Sequence, residues 1–295
     1  MKGEPPLVSI CLPLYNGGRY LREALDGIIA QTYRPLELVV SDDRSKDDSL
    51  AIVEEYRSKT DIEVRVLHHE PAGIGANWNH CVRAARGAYI KFVFQDDLIT
   101  PDCVAKLMAV ALEDEEVGMV FCRRTLLIDP NNAEHTAWAE KYRNLHTGWG
   151  RLDRVNSGKQ LLAHPDLLKI PRNKIGEPPA TLLKKEVFDR VGYFREDLKQ
   201  ALDYEFYYRL MTRFKVGFVD EELFTFRLHG EQATAVNARA GNHRLEKLRL
   251  RRIFYEELGE YLAPGVRWGL VKEFHPVLVL LRRLSRWLRY RSHGQ

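Results

Sequence analysis

Five short apolar blocks in the first 127 residues alternate with segments of helical spacing, and this alternation narrows the folds open to the chain. Leu7 to Leu14 is rich in β-formers and stops at the turn signal Asn16-Gly17-Gly18. Tyr20 to Ile29 then sets Leu21, Leu25, Ile28 and Ile29 at helical spacing, and Pro35 leads into the strand pattern Glu37-Leu-Val-Val-Ser41. A helix capped by Ser45, with Asp47 and Asp48 in its first turn and Ile52, Val53 and Tyr56 inward, precedes a strand at Val64 to Leu67. Next come a helix after Gly73 and Gly75 running to Ala85, a buried strand from Tyr89 to Phe94, a helix from Asp102 to Leu112 and a strand from Val117 to Leu127. Strand and helix in this order predict an α/β unit: a doubly wound, mostly parallel sheet.

Composition narrows the function. The 295 residues are 45% apolar and 29% charged, which suits a folded soluble chain and excludes collagen, disorder and small disulfide scaffolds. The net charge of +4 is unevenly spread. Residues 240–295 hold 12 Lys/Arg against 5 Glu (+7), and the remainder holds 33 against 36 (−3). A mildly acidic body argues against nucleic acid as a partner. Cys11, Cys81, Cys103 and Cys122 are widely spaced, with no C-x-x-C pair, and read as reduced core thiols of a cytoplasmic protein. The first apolar run is too short and too soon interrupted for a signal peptide, and no run of 18 apolar residues suits a membrane span.

In a sheet of this kind ligands bind outside the carboxyl ends of the strands, where this sequence places its polar groups. Tyr15-Asn16 follows the first strand, Ser41-Asp42-Asp43 the second and Gln95-Asp96-Asp97 the fourth. Neither a Gly-x-Gly-x-x-Gly after a strand nor a P-loop is present. Asp96 and Asp97 would repel each other at the rim of a water-poor crevice, and a hard divalent cation, Mg²⁺ or Mn²⁺, relieves that repulsion when substrate phosphates complete its shell. The same pair also suits a solvated turn ahead of the Pro101 helix. Asp42-Asp43 reads either as a turn or as an acceptor for the N–H of a nucleobase.

Val8-Ser-Ile-Cys-Leu-Pro-Leu-Tyr-Asn16, Leu21-Arg-Glu-Ala-Leu25, Gln31-Thr-Tyr33, Glu37-Leu-Val-Val-Ser-Asp-Asp43 and Gln95-Asp-Asp97, in that order, resemble the nucleotide-sugar-binding half of glycosyltransferase family 2, which has the GT-A fold. The resemblance covers roughly the first 125 residues and continues more weakly to about residue 230. It implies that Tyr15 lies by the base, that Asp43 accepts from uracil or guanine, that Asp96 holds ribose and that Asp97 binds metal. Pro13, Asn16 and Asp42 join this nucleotide-sugar set. Gln95 stands where relatives often begin an Asp-x-Asp motif.

From Asp129 to Gly176 the periodicity fades, which suits a binding loop, and the resemblance makes it the acceptor region. Trp138 and Trp149 read equally as sugar platforms or as a satellite core. Ala201 to Leu210 forms a helix with Leu202, Phe206 and Leu210 on one face. Asp203, near its start, suits an N-cap; the resemblance makes it the catalytic base, with Leu202 in place of the usual Glu and Glu205 as the alternative base. In Arg227-Leu-His229 the histidine reads as a structural residue or, by the resemblance, as a metal or phosphate ligand. His68 and His69 have no partner pattern and read as surface.

The expected organisation is a nucleotide-sugar-binding half at 1–127, an acceptor and base half at 128–239 and a basic helical extension at 240–295. The expected activity is metal-dependent, inverting transfer from a nucleoside diphosphate sugar, a UDP-sugar in preference, to a glycan or lipid-linked sugar in bacterial polysaccharide or glycolipid assembly. A non-catalytic binding module of the same fold is the rival. Nucleotidyl transfer is disfavoured because Gly17-Gly18-Arg19 makes a poor phosphate loop. Residues 276–291 place Leu281, Leu284, Trp287 and Leu288 near helical spacing, with Arg282, Arg283, Arg286 and Arg289 largely elsewhere. They read as a helix for the cytoplasmic face of an anionic membrane, or for packing on the protein's own domain or on a second copy.

Overall fold

The computed structural model describes residues 4–230, 232, 243–281 and 284–285. In β1 (Val8–Leu14), Val8, Ile10, Leu12 and Leu14 enter one core and Cys11 the other, the two-residue period of a strand buried on both faces. β2 (Leu36–Asp42) lies parallel beside it, and β3 (Glu63–His68) lies parallel beside β2. β4 (Tyr89–Phe92) runs parallel on the other side of β1. Helices cover both faces of the sheet. α1 (Leu21–Ile29) and α2 (Ser49–Arg57) pack on the first core, and α3 (Ile74–Ala84) carries Trp78, Cys81 and Val82 into the second.

The short strand β5 (Leu98–Ile99), α4 (Cys103–Ala111) and β6 (Val117–Leu127) complete the first half. The second half adds α5 (Ala133–Tyr142), β7 (Val155–Asn156), α6 (Gly158–Leu162), β8 (Thr181–Lys184), α7 (Glu186–Val191), α8 (Leu202–Met211) and β9 (Lys215–Arg227). The sheet order is β3-β2-β1-β4-β8-β6-β9-β5, with β7 on β9. β8 inserts antiparallel between β4 and β6, so strands from both halves share one sheet. This insertion makes the sheet mixed, with its parallel strands at the β3 to β4 side and in the β6–β9 pair.

Several local expectations are corrected. Ser45 does not cap α2, which starts four residues later; its Oγ accepts from the Asn16 N–H at 3.0 Å. The competing bond wins because the β1 and β2 loops meet there. The fourth strand ends at Phe92, and β5 is too short for a periodicity signal. The irregular 129–176 segment contains two helices, one of them capped by Asn132, which accepts from the Glu134 and His135 N–H groups.

Two helices of the C-terminal segment, α9 (His243–Glu257) and α10 (Pro264–Phe274), follow. Leu250, Phe254 and Leu258 anchor this segment in the second core, each contributing roughly 1.5–3 kcal/mol relative to exposure. Beyond α10 the backbone is helical over 276–281, and Val277, Leu280, Leu281 and Leu284 are exposed at helical spacing. Arg282, Arg283, Arg286, Trp287, Leu288 and Arg289 lie outside the described residues. Among the described residues no helix is long and apolar enough to cross a membrane.

Candidate active site

The carboxyl ends of β1, β2 and β4 meet at one edge, where the register aligns Leu14 with Asp42 and Cys11 with Phe92. A cavity of about 560 Å³ opens there, and Pro13, Tyr15, Asp43, Asp96, Asp97 and Asp203 all line it. Tyr15 is half exposed (53%), as a ring offered to a ligand face would be. Asn16 and Asp42 are not among its lining residues. The Asn16 Oδ1 accepts from the Lys46 N–H at 2.8 Å, and both Asp42 oxygens accept from the Ser45 N–H at 3.1 and 3.3 Å. These two residues shape the loops that carry Tyr15 and Asp43.

Gln95 ties the ends of β1 and β4 together. Its Oε1 accepts from the Tyr15 N–H at 2.9 Å, and its Nε2 donates to the Tyr15 carbonyl at 3.1 Å. A carboxylate could accept but not donate, so the amide is suited to this reciprocal grip on a peptide. A Cβ on Gly17 would lie 2.6 Å from the Gln95 side chain, which leaves the next loop position to glycine.

Asp97 is buried to 1% exposure. Its Oδ1 accepts from the Arg227 N–H at 3.1 Å, while Oδ2 is buried with no hydrogen-bond partner. Burial, and then the neighbouring Asp96 charge, push its pKa well above the usual carboxylate range. The Asp96 Oδ2 lies 3.0 Å from His229 Nε2, which brings the histidine after β9 to the carboxylates after β4. Arg227 Nε donates to the Asp96 carbonyl, and its other end pairs with Glu23.

Asp203 enters from the other half. It is the second residue of α8, and the N-cap position belongs to Ala201, so Asp203 is not the cap. Glu246 of α9 accepts from the N–H groups of Lys199, Gln200 and Ala201 and so holds the turn that leads into α8. Asp203 Oδ2 accepts from Asn173 Nδ2 at 2.8 Å, and Oδ1 is buried without a partner. Burial is the main cause of its pKa being pushed up to about 8; the Glu177 charge adds to this, and Arg124 and nearby backbone N–H groups oppose it. Glu205, the alternative base, lies outside the cavity lining and is paired with Arg195 at 3.1 Å and Arg209 at 2.9 Å.

Other residues complete the cavity lining. Trp78 and Asn77 arrive on α3, Glu177 on the wall before β8 and Gln232 after β9. Glu177 is paired with Arg124, and Lys91, buried in β4, donates to the Pro179 carbonyl and ties this wall to the sheet. The helical phase of α3 could have flagged Asn77 and Trp78. His69, read as surface, is partly buried with Nε2 3.1 Å from Asp43 Oδ1. Trp149 is core, its Nε1–H donating to the Leu161 carbonyl, and Trp138 stacks on Phe226 at 5.7 Å. Neither acts as a platform in the cavity.

Among the described residues no three His, Cys, Asp or Glu side chains converge as a ready-made metal cage. The donors present nevertheless fit a divalent cation. Asp97 Oδ2 is orphaned beside a second carboxylate, and Mg²⁺ or Mn²⁺ commonly needs only one or two carboxylates when phosphates supply the remaining oxygens.

Residues 9–167, more than half of the chain, match the family described as glycosyl transferase family 2. An uncharacterised protein of Mycobacterium tuberculosis is 36% identical over 219 residues, 74% of this chain and 66% of that relative. The chain thus spans just under two thirds of that protein's length. Among solved structures, a Pyrobaculum calidifontis mannosyltransferase in complex with GDP-Man and Mn²⁺ superposes with a TM-score of 0.61 at 18% identity, covering 98% of this chain and 83% of the other. Staphylococcus aureus TarS 1–349 in complex with UDP-GlcNAc gives 0.60 at 20% identity, covering 85% and 71%. At these identities the likeness is one of fold, and it matches the expected GT-A arrangement.

Proposed function

Because the chain belongs to glycosyl transferase family 2, we propose that it is a metal-dependent, inverting glycosyltransferase acting from a nucleoside diphosphate sugar, a UDP-sugar in preference, on an acceptor hydroxyl. The observation that carries this reading is the meeting, in one cavity, of a strand-end carboxylate pair and a buried carboxylate from the opposite wall.

Asp43, Tyr15 and Pro13 take the base, and Asp96 takes the ribose. The Asp43 carboxylate can accept the imide N–H that uracil and guanine both carry. Asp97, with His229, would hold the cation against the diphosphate; when bound, the cation neutralises charge as the nucleoside diphosphate leaves. Asp203 Oδ1 accepts the proton of the acceptor hydroxyl. The hydroxyl oxygen bonds to the anomeric carbon from the side opposite the diphosphate, and the bond from that carbon to the phosphate oxygen breaks with its electrons on the diphosphate. A single displacement inverts the centre.

The acceptor we assign is a glycan or lipid-linked sugar of bacterial polysaccharide or glycolipid assembly. The exposed Val277, Leu280, Leu281 and Leu284 stripe, interleaved with Arg282 and Arg283 and followed by Arg286, Arg289 and Arg291, supports docking of the C-terminal segment on an anionic membrane. Flotation with anionic vesicles, with and without residues 276–295, tests that assignment.

A panel of nucleotide sugars with Mn²⁺, read by release of nucleoside diphosphate, tests the activity. The expected result is turnover of one donor class, lost in Asp203→Asn with donor binding retained. Donor binding without turnover of any panel member, with lipid-linked and glycan acceptors supplied, overturns it in favour of a binding module.

A further inference from the structure

Asn173 sits where the irregular acceptor segment turns toward β8, and all of its amide hydrogen-bonding groups are engaged. Its Oδ1 accepts from the N–H groups of Ile175 at 3.0 Å and Gly176 at 2.9 Å. Its Nδ2 donates to the Gly176 carbonyl at 3.0 Å and to Asp203 Oδ2 at 2.8 Å. Two donors on one side and two acceptors on the other determine the amide orientation, because a flipped amide would lose all four bonds. Gly176, at φ +125°, closes the turn in a conformation that favours glycine.

The consequence falls on Asp203. One oxygen is held by the amide, and the other, Oδ1, is buried with no partner on a residue that lines the cavity. We propose that Asn173 is a positioning residue for Asp203: it locks the carboxylate rotation so that Oδ1 alone is the proton acceptor, and its N–H favours the charged form. This inference rests on the reading of Asp203 as the base.

The other groups facing Asp203 do not take this role. Glu177 and Arg124 oppose each other, being paired in the cavity wall and on β6. On α8 itself, Tyr204, Tyr207 and Tyr208 stay neutral, because burial raises all three phenols. The backbone N–H groups of Asp203 and Tyr204 favour the charged form. A neutral donor aimed at one oxygen supports a usable carboxylate in a site where burial opposes it.

The test is a pH titration of the Asp203 ¹³Cγ resonance in the full chain, assigned by its loss in Asp203→Asn. In Asn173→Ser the hydroxyl can still accept within the turn but is too short to reach Asp203. Its Asp203 midpoint should rise by about one pH unit, the size of a lost bond to a charged group. Transfer should fall about tenfold at pH 7 and partly recover at pH 9, with donor KM unchanged. Asn173→Asp keeps an oxygen for the Ile175 and Gly176 N–H groups but turns an acceptor toward the Gly176 carbonyl and Asp203; it should shift the midpoint further, and it carries the test should Asn173→Ser not fold. An unchanged midpoint in the folded variant, with Asp203→Asn inactive, overturns the positioning role alone. An active Asp203→Asn overturns the base assignment itself.

Discussion

Asp97 and Asp203 are both buried carboxylates on one cavity, each with one oxygen bonded and one orphaned, yet their surroundings suit them to opposite tasks. Asp97 lies beside Asp96, so ionising both concentrates negative charge, and the natural relief is a cation. Asp203 has an amide on one oxygen and no adjacent carboxylate in its sequence; burial alone accounts for most of its upward shift. The natural relief there is a proton. On the proposed reading, a like-charged neighbour or a neutral donor thus separates the carboxylate assigned to the cation from the one assigned to the proton.

Removing the cation or its ligand should break the comparison most severely. Asp97→Ala, or chelation of the wild type, should cost roughly 10³-fold or more in transfer, read as nucleoside diphosphate release, because several kcal/mol of charge neutralisation is lost. Mn²⁺ should restore the chelated enzyme but not the variant. Asp203→Asn should cost about 10²- to 10⁴-fold in kcat with the donor dissociation constant unchanged, the range of general base catalysis. Equal loss of donor binding in both variants would erase the division of labour.

The pH dependence sharpens the same contrast. Asp203, raised to about 8, must lose its proton to act, so kcat should climb between pH 7 and 9. The sign for stability is opposite. The folded state holds this proton more tightly than the unfolded chain, so the contribution is full below about pH 4 and is lost as pH rises through 8. Asp203→Asn should therefore melt above the wild type at pH 8, by a few kcal/mol at most, with the difference narrowing toward pH 4. Thermal melts at the two pH values check this. The smallest effect should come from Glu246→Ala, which removes the acceptor at the start of α8: about 1 kcal/mol of stability and a modest fall in kcat, with donor affinity unchanged.

The two sides also differ in how legible they were. β1, β2 and β4 are apolar blocks with polar residues immediately after them, and a parallel sheet gathers such ends at one edge, so Tyr15, Asp43, Asp96 and Asp97 could be named from local pattern and family resemblance. Asp203 could be named by resemblance, but its status could not: its spacing equally suited a helix cap. Glu205, two residues on, looked comparable until its pairing with Arg195 and Arg209 placed it in a structural network. Asn173 and His69 carried no motif because their roles depend on partners distant in sequence.

Local sequence determined the alternation of strand and helix, the edge at which ligand groups collect and the separation of an acidic body from a basic tail. These follow from periodicity and residue type, which act within a few residues. The tertiary structure decided the insertion of β8 between β4 and β6, the Gln95 grip on Tyr15 and the Glu246 hold on the turn into α8. It also decided that Asp203 faces the Asn173 amide. Desolvation and hydrogen bonding depend on distance in space, and only the folded chain sets those distances.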